Sequence, residues 1–316
     1  MTGPRRLPGP PPLARTTLDR AAHRRTDQRW LAAAWQRCRV LVIDTAAGGK
    51  ALVRGTDRPE LVLFGPDEVP PVAVGDRLFL GIEPDDTPVF AVDAVLPTIP
   101  DTRAVTLRQV GHLLSDRDAG LLSTATALAN WHALHRYSPA TGQPTTPVDG
   151  GWCRVDENGR QMWPRTDPAM IVLIRDGVPG PDGCCLLGNN AAWPDHQGRR
   201  RFSCLAGYIE PGESAEAAVA REVAEEVGIT LEGIEYVASQ GWPYPSSLML
   251  GFLAYADRSQ PLRLDLDEMA HARWFSRSEI AAVLAGERVD AGDGLQVALP
   301  SPSSIAHFLI LTWLNS

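Results

Sequence analysis

The sequence has no run of 18 consecutive apolar residues, so no segment reads as a membrane-crossing helix. Its opening, Met1 to Pro12, is rich in proline and arginine and lacks an apolar stretch, so it does not read as a secretory signal. There is no Cys-x-x-Cys pair. The five cysteines, Cys38, Cys153, Cys184, Cys185 and Cys204, are an odd number spread along the chain, which argues against a disulfide framework and suits a reducing, cytoplasmic setting. There is no excess of positive charge either. Thirty basic residues face 38 acidic ones, for a formal net charge of −8, so a nucleic-acid-binding face covering the protein is not expected. All the basic residues except Lys50 are arginines, which leaves room for a local basic track. Internal repeats are absent. What remains is a chain of 316 residues, 44% hydrophobic and 22% charged, an ordinary globular composition. Its length suggests about two domains and suffices for a sizeable core.

Residues 1–14 hold five prolines and little to pack, and read as a flexible tail. Leu18 to Trp35 carries a helical pattern. Short apolar runs at Arg39–Asp44, Leu61–Phe64, Arg77–Gly81 and Pro88–Asp93 read as strands separated by Gly, Pro and Asp turns, so residues 36–98 are expected to form an antiparallel β unit. A helix is expected over Leu121–Arg136. Residues 138–166, rich in Pro, Gly, Thr and Asp, read as a linker or small insert. Further strands are expected at Met170–Ile174 and Cys184–Leu187, followed by a glycine-rich segment opening a helix.

That last segment carries the chemistry. Ser214 is suited to cap a helix N-terminus and Gly228 its C-terminus. Val219, Val223 and Val227 recur every four residues and give the helix a buried stripe. Glu222, Glu225 and Glu226 fall at i, i+3 and i+4 and share another face. Carboxylates gathered on one turn repel one another unless a divalent cation sits among them, and hard oxygen ligands suit Mg²⁺ or Mn²⁺. Such ions clamp a phosphoryl group and acidify a bound water. Glu213 and Arg221 are placed to pair and hold the preceding loop to the helix. A merely solvated acidic face would not also carry seven fixed letters in the pattern Gly-x5-Glu-x7-Arg-Glu-apolar-x-Glu-Glu-x-Gly-apolar, a chance match on the order of one in a million.

From Gly207 to Ile229 this stretch resembles the signature of the Nudix hydrolases. The resemblance implies a Nudix α/β/α sandwich with a mixed sheet, and hydrolysis of a nucleoside diphosphate linked to another moiety. It implies Glu222, Glu225 and Glu226 as catalytic residues and metal ligands, with Ala206 and Glu268 as further ligands, two to three Mg²⁺ or Mn²⁺ ions, and Gly207, Glu213, Arg221 and Gly228 as structural members of the motif. Glu268 is singled out by its place six residues before Trp274. Further on, Ser239-Gln-Gly-Trp-Pro-Tyr-Pro-Ser-Ser247 resembles the Ser-Gln-Pro-Trp-Pro-Phe-Pro-x-Ser signature of the NADH pyrophosphatase (NudC-type) subgroup. Gly241 departs from it where the subgroup has proline, and glycine raises the entropic cost of ordering the loop. The subgroup resemblance implies substrate contacts from Arg108, Trp163, Tyr208, Gln240, Trp242, Ser247 and Ala306.

The subgroup also carries a four-cysteine zinc ribbon. Here the corresponding positions read Ser138, Thr141, Val155 and Asn158. Tetrahedral zinc needs four N or S ligands, so no zinc is expected, and Trp152, Val155 and Met162 are expected to pack an apolar insert instead. The expected architecture, of the α+β or α/β class, is a flexible tail (1–14), a β-rich N-terminal domain (15–136), a degenerate zinc-ribbon-like insert (137–165) and a Nudix domain (166–316). The implied activity is cleavage of NAD⁺ or NADH to nicotinamide mononucleotide and AMP, together with removal of NAD caps from RNA 5′ ends, by a cytoplasmic homodimer with no membrane partner. The rival readings are a broader hydrolase of ADP-ribose or dinucleoside polyphosphates, which the 239–247 loop opposes, an NAD sensor that binds without cleaving, which the complete set of carboxylates opposes, and a zinc-ribbon adaptor, which the missing cysteines oppose.

Overall fold

A computed structural model of the chain describes residues 9–316. Residues 1–8 of the expected tail lie outside the described residues. The rest divides into two bodies, Leu13–Thr166 with Gly241–Ser247, and Asp167–Gln240 with Leu248–Ser316. Leu13 is already buried in the first body, two residues inside the expected tail.

In the first body, the strands β1 (Arg39–Ile43), β2 (Lys50–Arg54), β3 (Glu60–Leu61), β4 (Leu63–Phe64), β5 (Leu78–Ile82), β6 (Pro88–Asp93) and β7 (Arg103–Thr106) form two sheets, ordered β4-β1-β6-β5 and β3-β2-β7. The expected wholly antiparallel unit is corrected at its centre. β1 and β6 run parallel, with Val40 opposite Phe90. The reason lies in burial on both sides. Leu41 and Ile43 join the core that includes Leu121, Leu122 and Ala125, while Val40 and Val42 join the one that includes Trp35 and Phe79. A strand covered on both faces is apolar at every position, which is the pattern of parallel sheets.

The expected helix over Leu18–Trp35 shortens to α1 (Gln28–Trp35). Asp27 caps it by accepting the Trp30 N–H at 2.9 Å, and upstream Asp19 bridges to Ile82 as a strand. The short helix α2 (Leu107–Val110) opens with a Thr106/Gln109 capping box, and α3 (Asp116–Leu134) starts five residues before the expected helix because Ser115 caps it. The expected linker carries a small sheet of β8 (Thr146–Val148), β9 (Cys153–Val155) and β10 (Gln161–Met162).

In the second body, β11 (Asp167–Arg175), β12 (Cys184–Asn190), β14 (Leu205–Tyr208), β15 (Glu232–Trp242), β16 (Ser247–Tyr255) and β17 (Met269–Ser276) form one sheet, ordered β15-β16-β11-β12-β17 with β14 also on β11. A second sheet joins β13 (Arg199–Arg201), β18 (Asp290–Gly292) and β19 (Leu295–Ala298). Alternation along β11 sends Met170, Val172 and Ile174 to one face and Ile171 and Leu173 to the other. The helix α4 (Ala215–Val227) covers the first face with Val219, Val223 and Val227, and α6 (Ile305–Leu314) covers the second with Leu309, Ile310 and Trp313. The helix α5 (Arg277–Leu284) follows β17. This is the α/β/α arrangement the sequence implied.

Candidate active site

The limits of α4 follow from its sequence. Ser214 Oγ accepts from the Ala217 N–H at 3.1 Å, and Gly228 closes the helix with φ 70°, a conformation that costs glycine nothing. Its three valines are buried against the sheet, which turns Glu222 and Glu226 toward the edge of β14. Gly207 on β14 is required there by space. A Cβ at that position would lie 2.0–2.4 Å from the Glu222 carboxyl group.

The third carboxylate arrives through the end of α4. The last turn of a helix leaves carbonyls without intrahelical partners. Two of them are taken by the chain before β17, where Arg263 N–H bonds Val227 O at 2.9 Å and Asp265 N–H bonds Glu226 O at 3.1 Å. Met269 N–H then closes on Asp265 O at 2.7 Å. This turn delivers Glu268, and ligating oxygens of Glu222, Glu226 and Glu268 lie within 4.8 Å of one another. Nothing in the local sequence marks residues 263–265 as the device that places Glu268. The signal is backbone hydrogen bonding, which residue types do not encode.

Glu225 does not join this cluster. Its carboxylate is 59% exposed and is held by Arg221 Nη1 at 3.0 Å. Arg221 is a hub that the motif alone did not resolve. Its Nε and Nη2 grip both Glu213 oxygens at 2.9 Å, Nη1 also reaches Glu222 at 3.0 Å, and Nη2 donates to the Tyr208 carbonyl at 3.0 Å. The expected Glu213–Arg221 pair is therefore present, and it ties α4, the preceding loop and β14 together. The pairing holds the Glu213 carboxyl below its ordinary range, chiefly through Arg221.

Glu226 has no such partner. It is buried, and its Oε2 has no hydrogen bond. Burial, followed by the charges of Glu222, Glu268 and Glu225, pushes its carboxyl up to about 8. Burial also raises Glu222, against the pull of Arg221. An unsatisfied carboxylate oxygen among two other carboxylates is costly alone and suits a divalent cation with hard oxygen ligands. Ala206, the other expected ligand, sits next to Gly207 on β14.

The expected substrate contacts fall into two groups. In the second body, Tyr208 follows Gly207 on β14 and is 57% exposed. Gln240 is buried and donates through Nε2 to Ser303 O at 3.2 Å, which holds the turn before α6. Ser304 caps α6, and Ala306 is its second residue, so its N–H lies in the turn that has no intrahelical acceptor. In the first body, Trp242 and Tyr244 pack on the apolar core, and the Arg108 guanidinium lies 3.9 Å from the Tyr244 ring centre and 5.2 Å from that of Trp242. Tyr244 Oη accepts the Arg108 N–H at 3.2 Å, and Asn130 Nδ2 donates to Pro243 O at 2.7 Å. Ser247 is buried, and Trp163 is 62% exposed.

A NUDIX domain model matches residues 164–294, and a model for an NADH pyrophosphatase-like rudimentary NUDIX domain matches residues 29–131. The chain is 39% identical over 313 residues to the "NAD-capped RNA hydrolase NudC" of Mycobacterium tuberculosis, covering 96% of this chain and 94% of that protein. It is 37% identical over 212 residues to the "NAD-capped RNA hydrolase NUDT12" of Homo sapiens, covering 64% of this chain and 43% of that protein. Among solved structures, it is similar to the NUDIX domain of Shewanella oneidensis NrtR complexed with ADP ribose, at 16% identity and a TM-score of 0.36, over 51% of this chain and 92% of that one.

Proposed function

The chain belongs to the Nudix hydrolases, in the branch that joins an NADH pyrophosphatase-like rudimentary NUDIX domain to a NUDIX domain, and we propose that it cleaves the pyrophosphate of NAD(H), both free and as the 5′ cap of RNA. Water adds to one phosphorus as the P–O bond to the bridging oxygen breaks. The products are nicotinamide mononucleotide and either AMP or a 5′-monophosphate RNA. The observation that carries this reading is the buried, unpartnered Glu226 oxygen inside the Glu222–Glu226–Glu268 cluster.

In this reading Glu222, Glu226 and Glu268, with the Ala206 carbonyl, hold two to three Mg²⁺ or Mn²⁺ ions, and Glu225 joins them as Arg221 releases it. Such ions acidify a bound water and neutralise charge developing on phosphoryl oxygens. Arg221 keeps Glu222 oriented. Tyr208 and Trp163, both broadly exposed, supply faces on which a base or nicotinamide stacks. Gln240 acts by setting the turn before α6, so that the Ala306 amide donates to the substrate. Arg108, Trp242 and Ser247 order the substrate loop, whose aromatic pair is stacked under the Arg108 guanidinium. A cytoplasmic homodimer completes the proposal and is checked by light scattering of the purified protein.

The decisive experiment is product analysis with Mg²⁺ or Mn²⁺ on NADH, NAD⁺, ADP-ribose and an NAD-capped RNA, using the protein and its Glu226→Gln variant. Release of nicotinamide mononucleotide from NAD(H) and from capped RNA, lost in the variant, is expected. Turnover of ADP-ribose alone would replace this reading by the broader hydrolase. Binding of NAD without any turnover would replace it by a sensor.

A further inference from the structure

Next to the carboxylate cluster, residues 191–201 form a ledge that the hydrolysis above does not use. It is fastened at both ends. Ala191 N–H donates to the carbonyl of Glu268 at 2.7 Å, and Asn189 Nδ2 donates to the carbonyl of Arg201 at 2.9 Å. Between these points Arg200 is buried. It reaches both oxygens of Asp195, at 3.3 and 3.2 Å, and stands 3.5 Å from Asp293. Strand alternation along β13 then turns Arg199 and Arg201 to the opposite, exposed side.

Those two arginines differ from most others of this body. Arg175, Arg221, Arg258 and Arg273 face carboxylates, and Arg277 bonds the carbonyls of Trp313 and Leu314. Arg199 makes no ion pair among the described residues, and the Arg201 guanidinium lies over the Trp193 ring, 3.7 Å from its centre. In a chain with a net charge of −8, an indole carrying a guanidinium, with a second outward arginine two residues along the same strand, is a local exception. Its chemistry is that of single-stranded nucleic-acid platforms. Guanidinium groups meet phosphates, and bases stack on aromatic and guanidinium planes without regard to sequence.

We propose that this ledge receives the first nucleotides of an RNA chain attached to the dinucleotide, with Arg199 on a phosphodiester and a base stacked on the Trp193–Arg201 pair. The inference rests on the proposed hydrolysis of capped RNA and adds the surface that distinguishes capped RNA from the free dinucleotide. The bond between Ala191 and Glu268 fixes the ledge beside the cleavage site. Free NADH has no downstream nucleotide and does not engage it.

The test compares the protein with Arg199→Gln/Arg201→Gln, Trp193→Ala and Trp193→Phe variants on NADH and on an NAD-capped single-stranded RNA, across salt concentrations. For the double variant, kcat/KM on NADH stays within about twofold. KM for capped RNA rises about tenfold or more with kcat little changed. The slope of log kcat/KM against log salt falls by about 1.4 on the RNA, as expected for two lost phosphate contacts at about 0.7 each. Trp193→Ala weakens capped RNA alone, and Trp193→Phe restores it. Equal losses on NADH and RNA, or no loss on RNA, would overturn the ledge. Binding of a labelled uncapped single-stranded RNA, read by fluorescence anisotropy, separates the two layers of argument. If the protein hydrolyses neither substrate, the hydrolysis reading fails, and the ledge still stands or falls on whether the double variant loses that binding.

Discussion

Buried polar groups in the two bodies end their hydrogen bonds differently. In the insert of the first body, the groups satisfy one another. Ser138 and Thr141 occupy two of the ribbon positions, and their hydroxyls donate to Asp156 at 3.1 Å and Glu157 at 3.2 Å across to the other pair of positions. Asp156 also accepts the N–H groups of Asn158 and Arg160, and its carboxyl lies below the ordinary range because these bonds outweigh its desolvation. Arg154 is buried and donates to Thr145 and to His132 Nδ1, while His132 Nε2 donates to Gly151 O at 2.8 Å. Trp152 adds a bond from its indole to Phe79 O at 2.7 Å and packs on the apolar core. Hydrogen bonds thus link the two halves of the insert where metal ligands would otherwise do so. In the second body, the Glu222–Glu226–Glu268 cluster leaves an oxygen open. A closed polar network holds a fold, and an open one is poised for something to bind.

The sharpest way to break this contrast is Glu226→Gln. Hydrolysis is expected to fall about 10³-fold or more, since a cation ligand is lost. Without metal the variant is expected to melt higher than the parent, because a buried carboxylate is removed. The sign follows from the shift. Glu226 titrates near 8 in the folded chain against 4.5 for the model value, so the folded state binds the extra proton between those limits. The metal-free protein therefore loses stability as pH rises from about 5 to 8, and Mg²⁺ reverses that trend. Calorimetry across pH, with and without Mg²⁺, reads both effects. A metal-free melting curve that rises over this range would remove the open carboxylate from the argument.

Gly207→Ala comes next. The added Cβ would meet the Glu222 carboxyl, and a displacement of about 1 Å in a catalytic group costs roughly 10²-fold in rate. Steady-state hydrolysis checks it, and full activity would show that Glu222 has room to move.

The closed network is probed by stability. Arg154→Met leaves Thr145 and His132 without their donor, at about 2–3 kcal/mol by the cost of unsatisfied buried groups. His132 is held neutral because Nδ1 accepts from Arg154, and burial is the first cause of its lowered pKa. A histidine depressed in the folded state gives stability above its ordinary value of about 6.5 that is lost as pH falls below it. His132→Gln should flatten that acid-side decline in melting temperature. A parent protein indifferent to pH there would show the network to be open after all.

The smallest effect belongs to Gly241→Ala. No atom lies within 4 Å of the added Cβ and the backbone there is not left-handed, so a gain of about 0.4–1 kcal/mol is expected from the unfolded state, read by denaturant melts.

The α4 motif was legible because every element of it is local. A cap, a four-residue valine period and a glycine stop are set by neighbours within one helix, and the structure returns Ala215–Val227 with Ser214 and Gly228 at its ends. The strands of the first body were legible in part. β5 and β6 came close to their expected limits, whereas β2 and β7 lay in segments not read as strands, and the parallel pairing of β1 with β6 depends on two cores meeting one sheet. Trp242 and Tyr244 were read as substrate contacts from their motif, and the structure adds that they are packed under Arg108 on the apolar core.

By itself, then, the sequence determined which residue types carry the chemistry, because carboxylates at helical spacing and a glycine beneath one of them are short-range demands. Tertiary structure alone decided which carboxylates meet. Glu268 reaches Glu226 through backbone bonds from residues 263 and 265, and Glu225, one residue from Glu226, is drawn aside by Arg221. Spacing along a helix sets which way a side chain faces, but the partner it finds comes from chain folded in from elsewhere.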